Sequence, residues 1–237
     1  MTLLTVVQDA LNELGEYEIP AAIVGSSNPT AKQALALANR ELRLLAGRVA
    51  WSPLSKEYTF NTVASTAQYA LPSDYRSILT CTWWDGTDKW PLVGPASAAE
   101  WQTLKNGIYQ PVTRFWFRIT PSSGIDKFEL YPVPDAVYAI HYTYASTDLV
   151  RNAAGNTFYS AYGTTDTDVA LIDEDLITMG LKWRFLRQKG LPYSEEFGDY
   201  ERAAQRAMAR DGGSRPVYLD GPRLVRYPGV PETGFGQ

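Results

Sequence analysis

The chain has 237 residues, 45% hydrophobic and 20% charged, proportions that exclude a wholly disordered protein. Its 22 Lys and Arg residues against 26 Asp and Glu residues give a formal net charge of −4, which excludes a general positive field for recruiting nucleic acid. A single cysteine excludes an intrachain disulfide. No apolar run reaches membrane-spanning length and no signal peptide is visible, so we expect a protein made in the cytosol.

Two helices are predicted at the N-terminus. In residues 2–15, apolar side chains recur at helical spacing and Gly15 ends the pattern. Asn28 and Pro29 provide an N-cap and a first helical position for the second helix. Its apolar seam has alternating steps of three and four residues: Leu35, Ala38, Leu42, Leu45 and Val49. We interpret it as a core helix, with an intermolecular coiled coil as the alternative.

Residues 54–147 are predicted to be rich in β-structure. Residues 58–62 alternate in polarity, and residues 67–71 are their predicted partner strand. Residues 76–85 also alternate and lead into Asp85-Gly86, a sequence typical of the turn in a β-hairpin.

A short helix and a β-meander are predicted next. Ser97 and Glu100 have the spacing of a capping box, which predicts a helix from Ala98 to about Lys105. Three alternating segments follow, separated by two turns rich in proline: residues 113–119, 127–130 and 137–144. We interpret them as an antiparallel meander with one face on a core.

The C-terminal third begins with a polar segment and returns to helix. Residues 148–168 lack periodicity, so we expect a long loop of the kind that often binds a neighbour. Acidic residues from Asp173 start one helix, Gly190 to Pro192 end it, and Ser194 starts a second, so residues 172–211 form a helical hairpin. The predicted inward residues of the first helix form one stripe: Ile172, Leu176, Met179, Trp183 and Leu186.

Residues 214–237 are predicted to be an extended C-terminal arm. They contain four prolines and scattered apolar residues, and they cannot build a core of their own. Their apolar content favours an arm laid over another subunit, with a disordered tail as the alternative.

The motifs of catalysis and metal binding are absent from the sequence. Cys81 and His141 are the only residues of their types, too few for a zinc site. No phosphate-binding loop, nucleophile elbow or metalloprotease helix motif occurs. We therefore predict no catalytic residue, metal or cofactor, and we expect Cys81 to be a small core residue on a strand rather than a nucleophile paired with His141.

Clustered carboxylates are the remaining sequence signal for an enzyme. A glycosidase needs two carboxylates at the right separation, and five acids lie close in sequence. They are Asp166, Asp168, Asp173, Glu174 and Asp175. The last three lie where a helix start favours acids for structural reasons, which is the interpretation we prefer.

The last predicted helix carries a cationic stripe. Arg202, Arg206 and Arg210 recur every four residues and could meet a phosphate backbone. We prefer a solvated face whose charges pair with nearby acids. Those acids are Glu195, Glu196, Asp199 and Glu201.

The order of these elements resembles that of the head-to-tail adaptor proteins of tailed bacteriophages. The resemblance covers residues 1–213. Three segments carry it. The first is Phe-Glu-Leu-Tyr-Pro-Val-Pro-Asp at residues 128–135, together with the strand at residues 138–144 that follows it. The second is Leu-Pro-Ser-Asp-Tyr at residues 71–75, and the third is residues 173–210, which begin with acidic residues.

We predict an α+β fold in which the N-terminal and C-terminal helices form a helical layer and the middle of the chain forms a central antiparallel β-sheet or small barrel. Residues 1–213 are expected to be a single domain. It comprises helical segments at 1–50 and 172–211, a β-rich insertion at 54–147 and a loop at 148–168, and the arm at 214–237 follows it.

The resemblance implies a structural virion protein rather than an enzyme. It implies a closed ring, typically of twelve copies, bound to the portal protein on one side and to tail or nozzle proteins on the other. Double-stranded DNA would pass through its lumen unread. It also implies assembly in the host cytoplasm, a location in the virion neck, and no membrane.

The family analogy makes the helical hairpin and the arm the portal-facing and intersubunit parts, and the 148–168 segment the tail-facing part. The candidate contact residues are Arg202, Arg206, Arg210, Tyr218, Leu224, Tyr227 and Phe235. The alternatives are a carbohydrate-active hydrolase and a monomeric binding module.

Overall fold

The structure, a computed structural model, describes residues 1–15, 19–107, 114–122 and 125–212. Its helices are α1 (Leu3–Glu13), α2 (Pro29–Arg48), α3 (Ala98–Asn106), α4 (Glu174–Gln188) and α5 (Ser194–Gly212). Its strands are β1 (Ser55–Asn61), β2 (Gln68–Ala70), β3 (Tyr75–Ile78), β4 (Trp84–Asp85), β5 (Trp90–Pro91), β6 (Trp116–Ser122), β7 (Ile125–Tyr131), β8 (Ala139–Ser146), β9 (Val150–Arg151), β10 (Phe158–Tyr159) and β11 (Val169–Ala170). The predicted α+β fold is confirmed.

Helix α4 is the centre of the helical layer. Helices α1, α2 and α5 all pack against it. The predicted single stripe on α4 was too narrow, because three neighbours bury a broad arc of its surface. That arc also includes Ile177, Gly180, Leu181, Arg184 and Phe185. The hairpin of α4 and α5 was predicted correctly, and Asp173 caps α4 by accepting from the Asp175 amide.

Helix α2 starts where the sequence predicts. The side chain of Asn28 accepts a hydrogen bond from the Thr30 amide at 2.8 Å, and Pro29 is the first helical residue. Its buried face belongs to the core of the same chain, so the core-helix interpretation is confirmed. The face is rotated from the predicted seam, since Leu35 and Val49 are only partly buried whereas Glu41 is fully buried.

The β-layer contains two packed sheets. Strand β8 pairs along the whole of β1 and also with β3 and β4, and β5 completes this sheet. A second sheet has the order β2-β7-β6. The ring of Phe128 on β7 stacks between Phe117 on β6, at 4.8 Å, and Tyr142 on β8, at 5.4 Å. The two sheets therefore share one aromatic core.

The predicted meander is wrong at its second turn. Strands β6 and β7 pair as predicted, but β8 joins the other sheet. Residues 132–135 are therefore a link between sheets rather than a hairpin turn, and local alternation carries no information about which sheet a strand joins. For the same reason the partner predicted for residues 58–62 was wrong, because β2 pairs with β7 instead of β1.

The predicted strand at residues 76–85 is broken. Strand β3 ends at Ile78, and the chain resumes at Trp84 in a hairpin with Trp90-Pro91, as the Asp-Gly turn predicts. Cys81 lies between them with φ of 61° and is exposed, which corrects its expected place as a core residue on a strand. A left-handed residue cannot continue an extended strand.

Residues 148–168 are not a long free loop. Strand β9 pairs with β10 and β11 to form a small third sheet. Leu149, Val150 and Tyr162 are buried in the helical core, and the Asn39 side chain on α2 makes two hydrogen bonds to the Tyr162 backbone. Strands of two residues are too short to show a period, which is why the sequence analysis missed them.

The capping box of α3 is present as predicted. The Ser97 hydroxyl accepts from the Glu100 amide, and the Glu100 carboxylate accepts from the Ser97 amide. Trp101 and Leu104 are buried, also as predicted, and the Arg118 guanidinium lies 4.5 Å from the centre of the Trp101 ring. The short helix is thereby attached to the second sheet.

A charged cluster joins three segments of the β-layer around Asp74. Its carboxylate accepts hydrogen bonds from Lys56 at 2.7 Å, Tyr144 at 2.8 Å and Ser146 at 2.8 Å. Burial raises the pKa of Asp74, but these hydrogen bonds and the Lys56 charge outweigh it, so that the pKa is lowered to about 2.

Replacing Asp74 with asparagine is expected to lower the free energy of unfolding at pH 7 by about 2 kcal/mol, because Lys56 loses a charged acceptor. Because the pKa of Asp74 is lower in the folded protein than in the unfolded chain, its carboxylate stabilises the fold fully at pH values above about 3.9, the pKa in the unfolded chain. This stabilisation is lost as the pH falls toward about 2, the pKa in the folded protein. The difference in free energy of unfolding between wild type and D74N, measured by urea unfolding, should therefore shrink as the pH falls through this range. Exposed Glu57→Gln is the control; an unchanged gap at low pH would contradict the assignment.

Candidate interaction surfaces

The cationic stripe of α5 lies on the protein surface. Arg202, Arg206 and Arg210 are all exposed. Arg202 pairs with Asp199 one turn away, which confirms one of the predicted pairings. Arg210 instead reaches Asp173 at the start of α4, at 3.1 Å, with its side chain 77% exposed. The stripe therefore remains accessible to a partner even where its charges are paired.

The remaining predicted contacts, Tyr218, Leu224, Tyr227 and Phe235, lie outside the described residues. The structure does show where the segment that carries them begins. At the end of α5, the Asp211 carboxylate accepts a hydrogen bond from the Ser52 amide at 2.9 Å. The last described residues of α5 therefore lie beside Ser52, three residues before β1.

The clustered acids have structural partners. The Asp166 carboxylate accepts from the Ile23 and Val24 amides, the latter at 2.7 Å. Asp168 is fully buried and accepts from the Thr165 amide and hydroxyl. Glu174 pairs with the N-terminal ammonium group. These bonds tie the N-terminal region to the segment before α4, and they account for these acids without catalysis.

The only cysteine and histidine lie in different surroundings. Cys81 is exposed in the segment after β3, whereas Nδ1 of His141 on β8 lies 2.8 Å from the Thr59 hydroxyl. Within the described ranges, no three His, Cys, Asp or Glu side chains converge as a metal site would require.

A buried polar network inside the helical layer escaped the sequence analysis. Glu41 of α2 is 0% exposed and accepts from Arg184 of α4 and from the Tyr200 hydroxyl of α5. Burial raises the pKa of Tyr200, and its hydrogen bond to Glu41 raises it further. Arg48 covers the Tyr200 ring at 5.2 Å and pairs with Glu201. The network ties α2, α4 and α5 together; its only sequence signal is an acid within an apolar seam.

An open cleft in the β-layer also escaped the sequence analysis. It lies between the β4–β5 hairpin and the link from β7 to β8, with a volume of about 270 Å³. Its walls are aromatic and its rim is acidic. The lining residues are Asp85, Asp88, Trp90, Pro91, Leu92, Arg114, Phe115, Pro132, Val133, Asp135 and Tyr138. Because the cleft joins residues distant in sequence, local patterns could not reveal it.

A third surface lies at the tip of the helical hairpin. Three large apolar side chains are exposed there within seven residues: Leu191, Tyr193 and Phe197, at 48%, 37% and 38%. Tyr193 and Phe197 pack on the buried Trp183. The tip therefore presents an apolar patch on a fixed base.

The sequence profile of the SU10 adaptor protein family matches residues 1–222 of the 237-residue chain. The chain belongs to the SU10 adaptor protein family. This family consists of phage head-to-tail adaptors, so the resemblance seen in the sequence is confirmed. No curated protein matches the chain.

Membership of this family gives the adaptor a structural role in the neck of a phage virion, associated with portal and tail proteins. In the described part of the adaptor, none of the helices combines the length and apolarity needed to cross a bilayer.

Proposed function

We propose that this adaptor forms a closed ring, typically of twelve copies, that docks beneath the portal and joins it to tail or nozzle proteins. The family match over residues 1–222 carries the proposal. The exposed surfaces described above, on α5, at the hairpin tip and in the β-layer cleft, supply contact faces for neighbours on more than one side.

The ring would surround the DNA channel after assembly in the host cytoplasm. The net charge of −4 suits this role, because a weakly negative lining repels the phosphate backbone and leaves DNA free to move during ejection. No reaction is needed for it, so we infer that the adaptor is not an enzyme.

Residues 1–213 are proposed to act as one domain, with the segment 214–237 as an arm. Hydrogen bonds accepted by Asp166 and Asp168 from the Val24 and Leu3 amides link the N-terminal region to the segment before α4, and the Asp211–Ser52 bond links α5 to the turn before β1. Such links between segments from opposite ends of the sequence support a single unit.

Neither alternative accounts as well for the observations. A carbohydrate-active hydrolase that uses the clustered acids would need two of them free, whereas Asp166, Asp168 and Asp173 all accept hydrogen bonds from backbone amides. A monomeric binding module would leave the apolar hairpin tip without a partner. Portal-dependent assembly separates these possibilities.

We propose that the arginines of α5 and the apolar residues of the arm each make intersubunit or portal contacts: Arg202, Arg206 and Arg210 on α5, and Tyr218, Leu224, Tyr227 and Phe235 in the arm. Replacing the three arginines with glutamate is expected to weaken binding to the portal ring about tenfold or more, because the contact charge is reversed. Co-sedimentation with the purified portal of the same phage measures this.

The matched control changes the same number of charges on exposed sites elsewhere, at Lys32, Arg43 and Arg151. It should bind the portal as wild type does. If the variant with three glutamates binds the portal as well as wild type does, these arginines are not part of the portal contact. That result would not affect the proposal of a ring, which has its own test.

A further inference from the structure

The aromatic and acidic cleft of the β-layer has the composition of a docking site. Trp90 and Val133 are 46% and 47% exposed beside Phe115 and Tyr138. The Arg114 guanidinium covers the Trp90 ring at 4.9 Å. Partly exposed tryptophan, tyrosine and arginine gathered in a concave site are the residues that dominate protein interfaces.

The rim of the cleft is negative. Asp88 and Asp135 are exposed there, whereas Asp85 is buried and accepts from the Thr87 amide at 2.8 Å. Asp135 also accepts from the Tyr138 hydroxyl at 2.8 Å, which fixes both groups on one wall. A suitable occupant would combine apolar, preferably proline-containing, sequence with positive charge.

The C-terminal segment of this chain has that chemistry. Residues 222–228 read Pro-Arg-Leu-Val-Arg-Tyr-Pro, with Arg223 and Arg226 and no acid among them. Proline-rich segments bind aromatic grooves in an extended form at low entropic cost, and arginine pairs well with carboxylates. Most of this stretch lies beyond residue 222, where the family match ends.

The segment is long enough to run the length of β1 toward the end of the β-layer that holds the cleft. It starts after Gly212, beside Ser52, and the cleft lies past the other end of β1, where Asn61 pairs with Ala139 next to Tyr138. Strand β1 spans about 20 Å at roughly 3.3 Å per residue, and the stretch from 213 to 222 spans about 33 Å when extended. The reach exceeds the length of β1.

We propose that residues 222–228 of one copy bind the cleft of a neighbouring copy, so that the arm links adjacent subunits. This inference rests on the proposed ring. The arm and the cleft are different surfaces, so their pairing is a heterologous contact between subunits. Heterologous contacts close into a ring when the rotation from one subunit to the next divides a full turn evenly.

The test is binding of a fluorescent peptide of residues 213–237 to the dilute full-length protein, followed by anisotropy. Saturable binding is expected. The D88K/D135K variant should bind at least about tenfold more weakly, and a peptide carrying R223E and R226E should recover binding to that variant. The control D9K/D175K makes the same charge change at two exposed sites away from the cleft and should bind as wild type.

Three results would overturn the proposal. The first is that the peptide does not bind, and the second is that wild type and D88K/D135K bind it equally. The third uses a shortened chain that ends at Gly212 and retains both described cores: the peptide would bind this chain but not the full-length protein. The last would show that each copy fills its own cleft. The peptide assay needs neither portal nor ring, so the two proposals can fail separately. If the peptide binds but the protein does not assemble on the portal, only the proposed function is contradicted. If the protein assembles on the portal but the peptide does not bind, only this inference is contradicted.

Discussion

Replacing Glu41 with alanine is expected to lower the free energy of unfolding by about 3–5 kcal/mol. Glu41 is fully buried between α2, α4 and α5, and it is the acceptor for both Arg184 and Tyr200. Removing it leaves the Arg184 guanidinium, whose side chain is only 10% exposed, without its carboxylate. The cost comes mainly from that uncompensated charge rather than from a lost attraction.

Urea unfolding at pH 7 measures this loss. The triple variant E41L/R184M/Y200F should recover most of it, since apolar side chains then replace the whole buried polar network and no buried donor is left without an acceptor. Arg43→Ala, at an exposed position on the same helix, should change stability by less than about 0.5 kcal/mol. A loss below about 1 kcal/mol for E41A would show that the network contributes little to holding the three helices together.

Phe128→Ala is the second substitution with a large expected effect, a loss of about 3–5 kcal/mol. Phe128 is 0% exposed and its ring stacks on Phe117 of its own sheet and on Tyr142 of the other. Truncation leaves a cavity where the two sheets meet, and both ring stacks are lost. Ile125→Ala on the same strand, 68% exposed, is the control and should be near neutral.

The same variant tests whether residues 1–213 behave as one domain. Far-ultraviolet circular dichroism follows mainly the helices, and near-ultraviolet circular dichroism includes the aromatic core around Phe128. If the two layers unfold together, both probes should shift by the same amount in F128A. A shift of the near-ultraviolet transition alone would show that the β-layer is a separate unit.

Local signals in the sequence predicted the parts of the fold that depend on neighbours along the chain. The Asn28-Pro29 start of α2, the Ser97–Glu100 capping box and the Asp-Gly hairpin all appear in the structure. Each of these is decided by hydrogen bonds or backbone angles within a few residues.

Features that depend on distant residues could not be predicted in this way. Strand β8 alternates as a meander strand would, yet it pairs with β1, some 80 residues earlier in the chain. The Glu41 network and the β-layer cleft each join residues from separate elements. The arginine stripe was visible because its period lies within one helix, but what binds it depends on partners outside the chain.

The mass of the purified protein in solution, alone and with the portal ring, tests the central claim most directly. Light scattering coupled to size exclusion should show a large, stoichiometric complex when the portal is present, in which the adaptor copies match a closed ring. A 26.4 kDa monomer that is unchanged by the portal would contradict the proposed adaptor ring.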